Sequence, residues 1–295
     1  MKAYLKITFH FLILLTSFNQ YAQHKSKIKV ELNAANKILT IKQEIIFVNQ
    51  SDDTLNSIVL NDWNHAFSNK NTPLAKRFSD EFYRGFHLAN EEERGSTINL
   101  IVIDATQQFL SWQRTEKNPD YIVVELKNPL LPNQKVALHL SYITKIPSEK
   151  FTKYGYANSG SFNLKNWCLT PARYENYSFV KNSNNNLDDI ANAVSDFEID
   201  LKIPKTLDAT SDLNSEKTTG NDDFIYYRLS GNKRTDFSLI IEPKSNFESY
   251  RNSSVEVLTD LRDNKLDNIQ KAIVIDRVVN FANDLIGKYP HEKII

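Results

Sequence analysis

Histidine and glutamate stand side by side at His291 and Glu292, in the closing stretch GKYPHEKII, as they would at the start of H-E-x-x-H. That pattern sets two imidazoles four residues apart on one helix face, where they grip a zinc ion while the Glu activates bound water. Here the fifth position is Ile295, so the second ligand is missing, and Pro290 suits the entry to a new element better than a helix interior. The stretch reads as a loop into an edge strand at 293–295. His65 and His87 lie among Asp62, Asp80 and Glu81, yet no spacing there makes three or four ligands converge. The single cysteine, Cys168, excludes an intramolecular disulfide and a Cys-based zinc finger; it reads as a small buried hydrophobe sooner than as a nucleophile. Trp63, Trp112 and Trp167 could form a sugar platform. Trp112 falls in an alternating strand and reads as core, whereas Trp63 and Trp167 fall in loops.

Composition narrows the partners. Lys+Arg and Asp+Glu both number 36, and this zero net charge favours neither nucleic acid nor an anionic membrane surface. With 7 Gly and no G-x-G-x-x-G or G-K-[ST], no phosphate loop is present. A hydrophobic share of 41% and a charged share of 24% are those of an ordinary globular chain, long enough for two domains or one large β domain with an appendage. Lys2 and Lys6 precede an apolar run over 7–18 and a polar NQYAQ, the layout of a secretory signal peptide (residues 1–22) cut after Ala22. The run is short for a span of about 20 residues, so export to a bacterial periplasm or the medium is expected, with no membrane span in the mature chain.

The elements that must position these residues are mainly strands. Apolar and charged residues alternate over 28–33, and Leu39, Ile41, Gln43, Ile45 and Phe47 share one face of a second strand. LNSIVLND, TINLIVID, QFLSWQRT, DYIVVEL, KVALHLSYITKIP, FEIDLKIP, DFIYYRLS, DFSLIIEP and SVEVLTD read as further strands of an antiparallel meander, with Pro129 and Pro132 as punctuation. Leu74, Phe78, Phe82 and Phe86 recur every four residues and predict one helix over 73–89, capped by Thr72. A second helix is predicted over 266–286, capped by Asp263 or Asn264 and closed by Gly287 in a left-handed C′ position. Its apolar face, with Ile269, Ile273, Val278, Val279, Ala282, Leu285 and Ile286, needs a partner surface.

Three stretches carry a family resemblance: KIKVELNAANKILTIKQEIIFVNQSDDTLNSIVLND, then NWCLTPAR followed by SDFEIDLKIP, then the helix ending in IGKYPHEKII. Their order resembles the N-terminal half of aminopeptidase N-type (gluzincin) zinc metallopeptidases. The resemblance implies a saddle-like antiparallel β-sandwich domain at 24–245, then a truncated α/β start of a thermolysin-like catalytic domain at 250–295. It implies a peptide substrate and a zinc ion in complete members. The G-x-M-E-N strand and H-E-x-x-H are absent from this chain, which is expected to be inactive alone: a fragment, a split gene product or a degenerate relative. Asn166, Trp167, Cys168 and Arg173 fall where the family's substrate-cleft segment lies. Cys168 takes the place of an acidic or amide residue that binds the substrate's α-amine, and a thiol offers no charged acceptor unless its pKa is much lowered. Self-association through 266–286 is the expected behaviour of the isolated chain. The rival reading is a stand-alone secreted β-sandwich binding or adhesion module, which has no use for so apolar a terminal helix.

Overall fold

Strict alternation builds the first two strands. In β1 (His24–Asn33) and β2 (Ile38–Val48) every second residue is buried, and the intervening ones in β1 are mostly charged. This computed structural model describes residues 23–185, 191–220, 223–262 and 265–295, so the signal peptide expected at 1–22 and the caps expected at Asp263 and Asn264 lie outside the described residues. Leu39, Ile41, Gln43, Ile45 and Phe47 share the buried face of β2, as predicted.

After β3 (Leu55–Asn61) comes a 3-10 turn, Trp63–Phe67. The single helix predicted over 73–89 is two: α1 (Pro73–Asp80) and α2 (Gly85–Leu88). Thr72 does cap α1, accepting a hydrogen bond from the Ala75 N–H at 3.2 Å. The break falls at Phe82, which has φ 60° and is 91% exposed, off the apolar face assigned to it. Tyr83 packs there instead, edge-on to Phe78 and donating from its hydroxyl to Lys150 O. Its ring lies so close over Gly85 that a Cβ there would come within 2.5 Å of the phenol oxygen.

β4 (Ser96–Asp104), β5 (Trp112–Gln113), β6 (Tyr121–Leu130) and β7 (Lys135–Lys145) follow. QFLSWQRT contributes only the two residues of β5, and Pro129 sits inside β6 where its register against β3 shifts, a bulge that tolerates a missing N–H. Then come β8 (Gly155–Tyr156), β9 (Phe162–Lys165), β10 (Thr170–Pro171), β11 (Tyr174–Glu175) and β12 (Ser178–Phe179). β13 (Ser195–Pro204), β14 (Asp208–Ser211), β15 (Asn214–Thr219), β16 (Phe224–Arg234) and β17 (Ser238–Glu242) complete the body.

Seven strands form one sheet in the order β15-β16-β13-β1-β2-β7-β4, and two four-stranded sheets, β10-β3-β6-β5 and β14-β17-β9-β8, share its core. Ile28, Ile41, Leu140 and Leu201 from the large sheet meet Ile58 and Ile122 from one small sheet and Leu164 and Ile241 from the other. The body is not wholly antiparallel: β1 pairs in parallel with β13. A meander of neighbours cannot produce that pairing, because β13 comes back beside β1 only after β2 to β12 have been laid down.

β18 (Glu248–Arg251), β19 (Glu256–Thr259), α3 (Asn268–Ile286) and β20 (Lys293–Ile294) make a separate three-stranded sheet with one helix. β18 pairs with β19, so this unit starts at Glu248, just ahead of the expected 250. α3 is capped by Asp267 in a capping box: its carboxylate accepts from Gln270 N at 2.8 Å, and Gln270 Oε1 accepts from Asp267 N at 3.0 Å. Gly287 ends the helix with positive φ (99°), but its ψ of 167° is extended, not the left-handed helical value expected.

Candidate functional site

The segment 166–173 leaves β9 through Asn166, whose φ of 52° turns the chain into the space between the sheets. Buried polar side chains then take up its backbone groups in turn. Thr144 Oγ1 donates to Trp167 O (3.1 Å), and Gln43 Nε2 donates to Leu169 O (2.8 Å). Leu169 N donates to the Tyr142 hydroxyl (3.1 Å), which donates to Gln43 Oε1 (2.5 Å). Ser26 Oγ accepts from the same Gln43 amide (2.8 Å). Thr170 and Pro171 pair with Asn61 and Leu60, and Asn192 Oδ1 accepts from both Thr170 Oγ1 (2.7 Å) and Asn61 Nδ2 (2.8 Å). Buried peptide groups cannot be left unpaired cheaply, so this network fixes the segment's path.

Two of the four predicted cleft residues turn inward. Trp167 and Cys168 are 3% and 6% exposed, and the indole lies edge-on to Phe237 at 5.8 Å. Burial pushes the Cys168 thiol up to about 12, so it supplies neither a thiolate nucleophile nor an anionic acceptor for an ammonium group. Asn166 is half-buried and Arg173 is exposed, its Nε 2.5 Å from the Glu175 carboxylate. Trp63, read as a loop residue, is 4% exposed in the 3-10 turn, so Trp63 and Trp167 offer no exposed stacking platform; half-buried Trp112 packs on the core as expected.

A charged clamp adjoins the end of β3. Asp62 is buried, accepts from Thr97 Oγ1 at 2.6 Å and pairs with the Arg114 guanidinium, which also donates to Pro119 O. Burial and the Arg114 cation lower the His65 imidazole below its ordinary range, and its Nδ1 lies 3.2 Å from Thr97 N. Buried Asp120, raised above the usual carboxylate range by desolvation, accepts from Ser183 Oγ (2.7 Å) and Asn184 N. On the opposite, outer face of the seven-stranded sheet lies an open groove of about 960 Å³ floored by charges of both signs, among them Lys27, Lys42, Glu44, Glu198 and Arg228.

The described residues do not fit a zinc site. No group of three or more His, Cys, Asp or Glu side chains among them is placed to hold a metal ion. His24 Nδ1 accepts from Val48 N, His87 Nε2 meets Ser79 Oγ at 2.7 Å, and His291 stands edge-on to Tyr289. Gln43, Tyr142, Thr144 and Asn192, which hold the segment, escaped the sequence reading. Gln43 alone carried a signal, as the one polar residue on the apolar face of β2.

The chain is similar in structure to the M1 zinc metallopeptidase from Deinococcus radiodurans (TM-score 0.51, 13% identity). A mutant of the M1 zinc metallopeptidase from that organism matches equally (0.51, 14%), as does the mutant bound to a Tyr-Ser-Ala substrate (0.51, 12%). Each likeness covers 92% of this chain and 55% of the other, so the chain spans about half the length of these enzymes. No family model matches the chain, and no curated protein matches it in sequence. In fold the chain matches the N-terminal part of the M1 (aminopeptidase N-type) zinc metallopeptidases, as the resemblance implied.

Proposed function

We propose that this chain is the β-rich, non-catalytic portion of an exported M1-type zinc metallopeptidase, and that it shapes one wall of the peptide cleft. One observation carries the reading. On a chain with half a metallopeptidase's fold, α3 presents Ile269, Val278, Phe281, Leu285 and Ile286 at 62–82% exposure. Burying one such side chain is worth about 1.5–3 kcal/mol, so a helix with several in water calls for a covering surface. In this reading the zinc-bearing half covers α3, and the rigid segment 166–173 borders the substrate. Zinc belongs to that other half, and this chain alone performs no catalytic step.

Reading the encoding DNA past Ile295 tests the proposal: H-E-x-x-H with a Glu some twenty residues beyond it is expected. A stop codon with no such motif in any frame downstream overturns it. Export rests on the basic, apolar and polar order of residues 1–22, and cell fractionation tests it. Alone, the chain is expected to associate through α3. Light scattering should show this for the whole chain and not for one ending at Lys244; a cut at Tyr250 would run through β18. A second reading, a free-standing binding module, draws on the 960 Å³ groove. A monomeric whole chain with a precipitating shortened one would favour it.

A further inference from the structure

Beside Trp167 lies a small cavity of about 30 Å³, bordered by Trp63, Asn64, Thr144, Tyr154 and Asn184. Two of its lining residues each carry a buried polar atom with no hydrogen-bond partner among the described residues: the Trp167 indole N–H and Asn184 Oδ1. Both residues are 3% exposed. The orientation of Asn184 follows from its surroundings. Its side-chain amide donates to Trp63 O at 3.4 Å, which leaves Oδ1 as the free acceptor.

These two atoms define what fits between them. The occupant must accept from an N–H and donate to a carbonyl oxygen. A metal cation would face the indole hydrogen, an anion would face the Asn oxygen, and an apolar group would satisfy neither. Water does both. The space exceeds the roughly 10–15 Å³ that one water needs and is far below the roughly 300–1,000 Å³ of organic-ligand sites. We propose that one buried water bridges Trp167 Nε1 and Asn184 Oδ1 as a fixed part of this fold. It joins the segment 166–173 to the Asn184 loop and, through Asn184, to the 3-10 turn at Trp63.

Tryptophan-labelled NMR of the whole chain tests this. The chain has 3 Trp, and Trp167→Phe assigns the Trp167 indole signal by its loss. That signal is expected to show a cross-peak to water with the sign of a long-lived bound molecule, and a crystal structure a single peak about 2.7–3.2 Å from both atoms. Asn184→Leu keeps the indole and removes the acceptor, so the cross-peak should disappear while the indole signal stays; this variant carries the test if Trp167→Phe does not fold. A dry cavity with no cross-peak, an indole bonded to a protein oxygen, or a cross-peak that survives in Asn184→Leu would each overturn the proposal.

Discussion

The β body and the C-terminal unit are folded by different means. In the body Ile41, Ile58, Leu60 and Ile122 are wholly buried; in residues 248–295 Val255 alone is buried among the described residues, and in α3 even Ile275, Val279 and Ala282 are only half-buried. Yet α3 has a complete capping box, and Lys271 and Asn283 tie it to Glu248 and Ser254. The contrast separates two requirements. Local signals suffice to start and end a helix, whereas its stability depends on a surface to pack against.

The largest test of that contrast is truncation in each region. Ile41→Ala is expected to cost about 2–5 kcal/mol, and Val278→Ala no more than about 0.5 kcal/mol. Urea midpoints measure both, and comparable losses would mean that α3 has a packed face after all. Acid should act on the body too. Burial holds the His24 imidazole at about 4, against 6.5 for the free side chain. Below 6.5 the unfolded chain takes up a proton that the folded chain refuses until about 4. Stability is therefore full above that window and falls as pH drops through it, by up to about 3 kcal/mol. His24→Gln should flatten this dependence in urea titrations, and an unchanged slope would assign the acid sensitivity elsewhere.

Smaller effects sharpen the picture. Tyr142→Phe strands Leu169 N and Gln43 Oε1 in the interior, at about 1–3 kcal/mol. Hydrogen exchange should then quicken along 167–170; if it does not, the network is not what holds the segment. Asp267→Ala should cost α3 about 1 kcal/mol, seen as faster exchange in its first turn while the body's urea midpoint stays put. A shifted midpoint would show that helix and body unfold as one.

Periodicity made most of the body legible. Strands 24–33, 38–48, 135–145 and 195–204 announce themselves by alternation, and the apolar face of 268–286 by its spacing. What stayed hidden was set by contacts distant in sequence. The four-residue spacing of Leu74, Phe78, Phe82 and Phe86 promised one helix, but Tyr83 finds its partner at Lys150 and the helix breaks to let it. Trp63 and Trp167 read as loop residues because strand breaks flank them, while the sheets around them close over both. The segment 166–173 was recognisable from its own residues. The groups that hold it come from positions 26 to 192, where only Gln43 stood out against its neighbours.

The parallel pairing of β1 with β13 has a consequence in time. The partner of His24 is Ser195, 171 positions later. β2 covers one edge of β1 as soon as it is made, but the other edge waits for Ser195–Pro204. At roughly 5–20 residues per second of synthesis, that edge stays open for roughly 10–30 s. An unpaired strand edge is a template for joining another nascent chain, and lysine is a common deterrent. Lys25, Lys27 and Lys29 stand along β1 at alternate positions. That is the charge placement that discourages an open edge from pairing with a second chain.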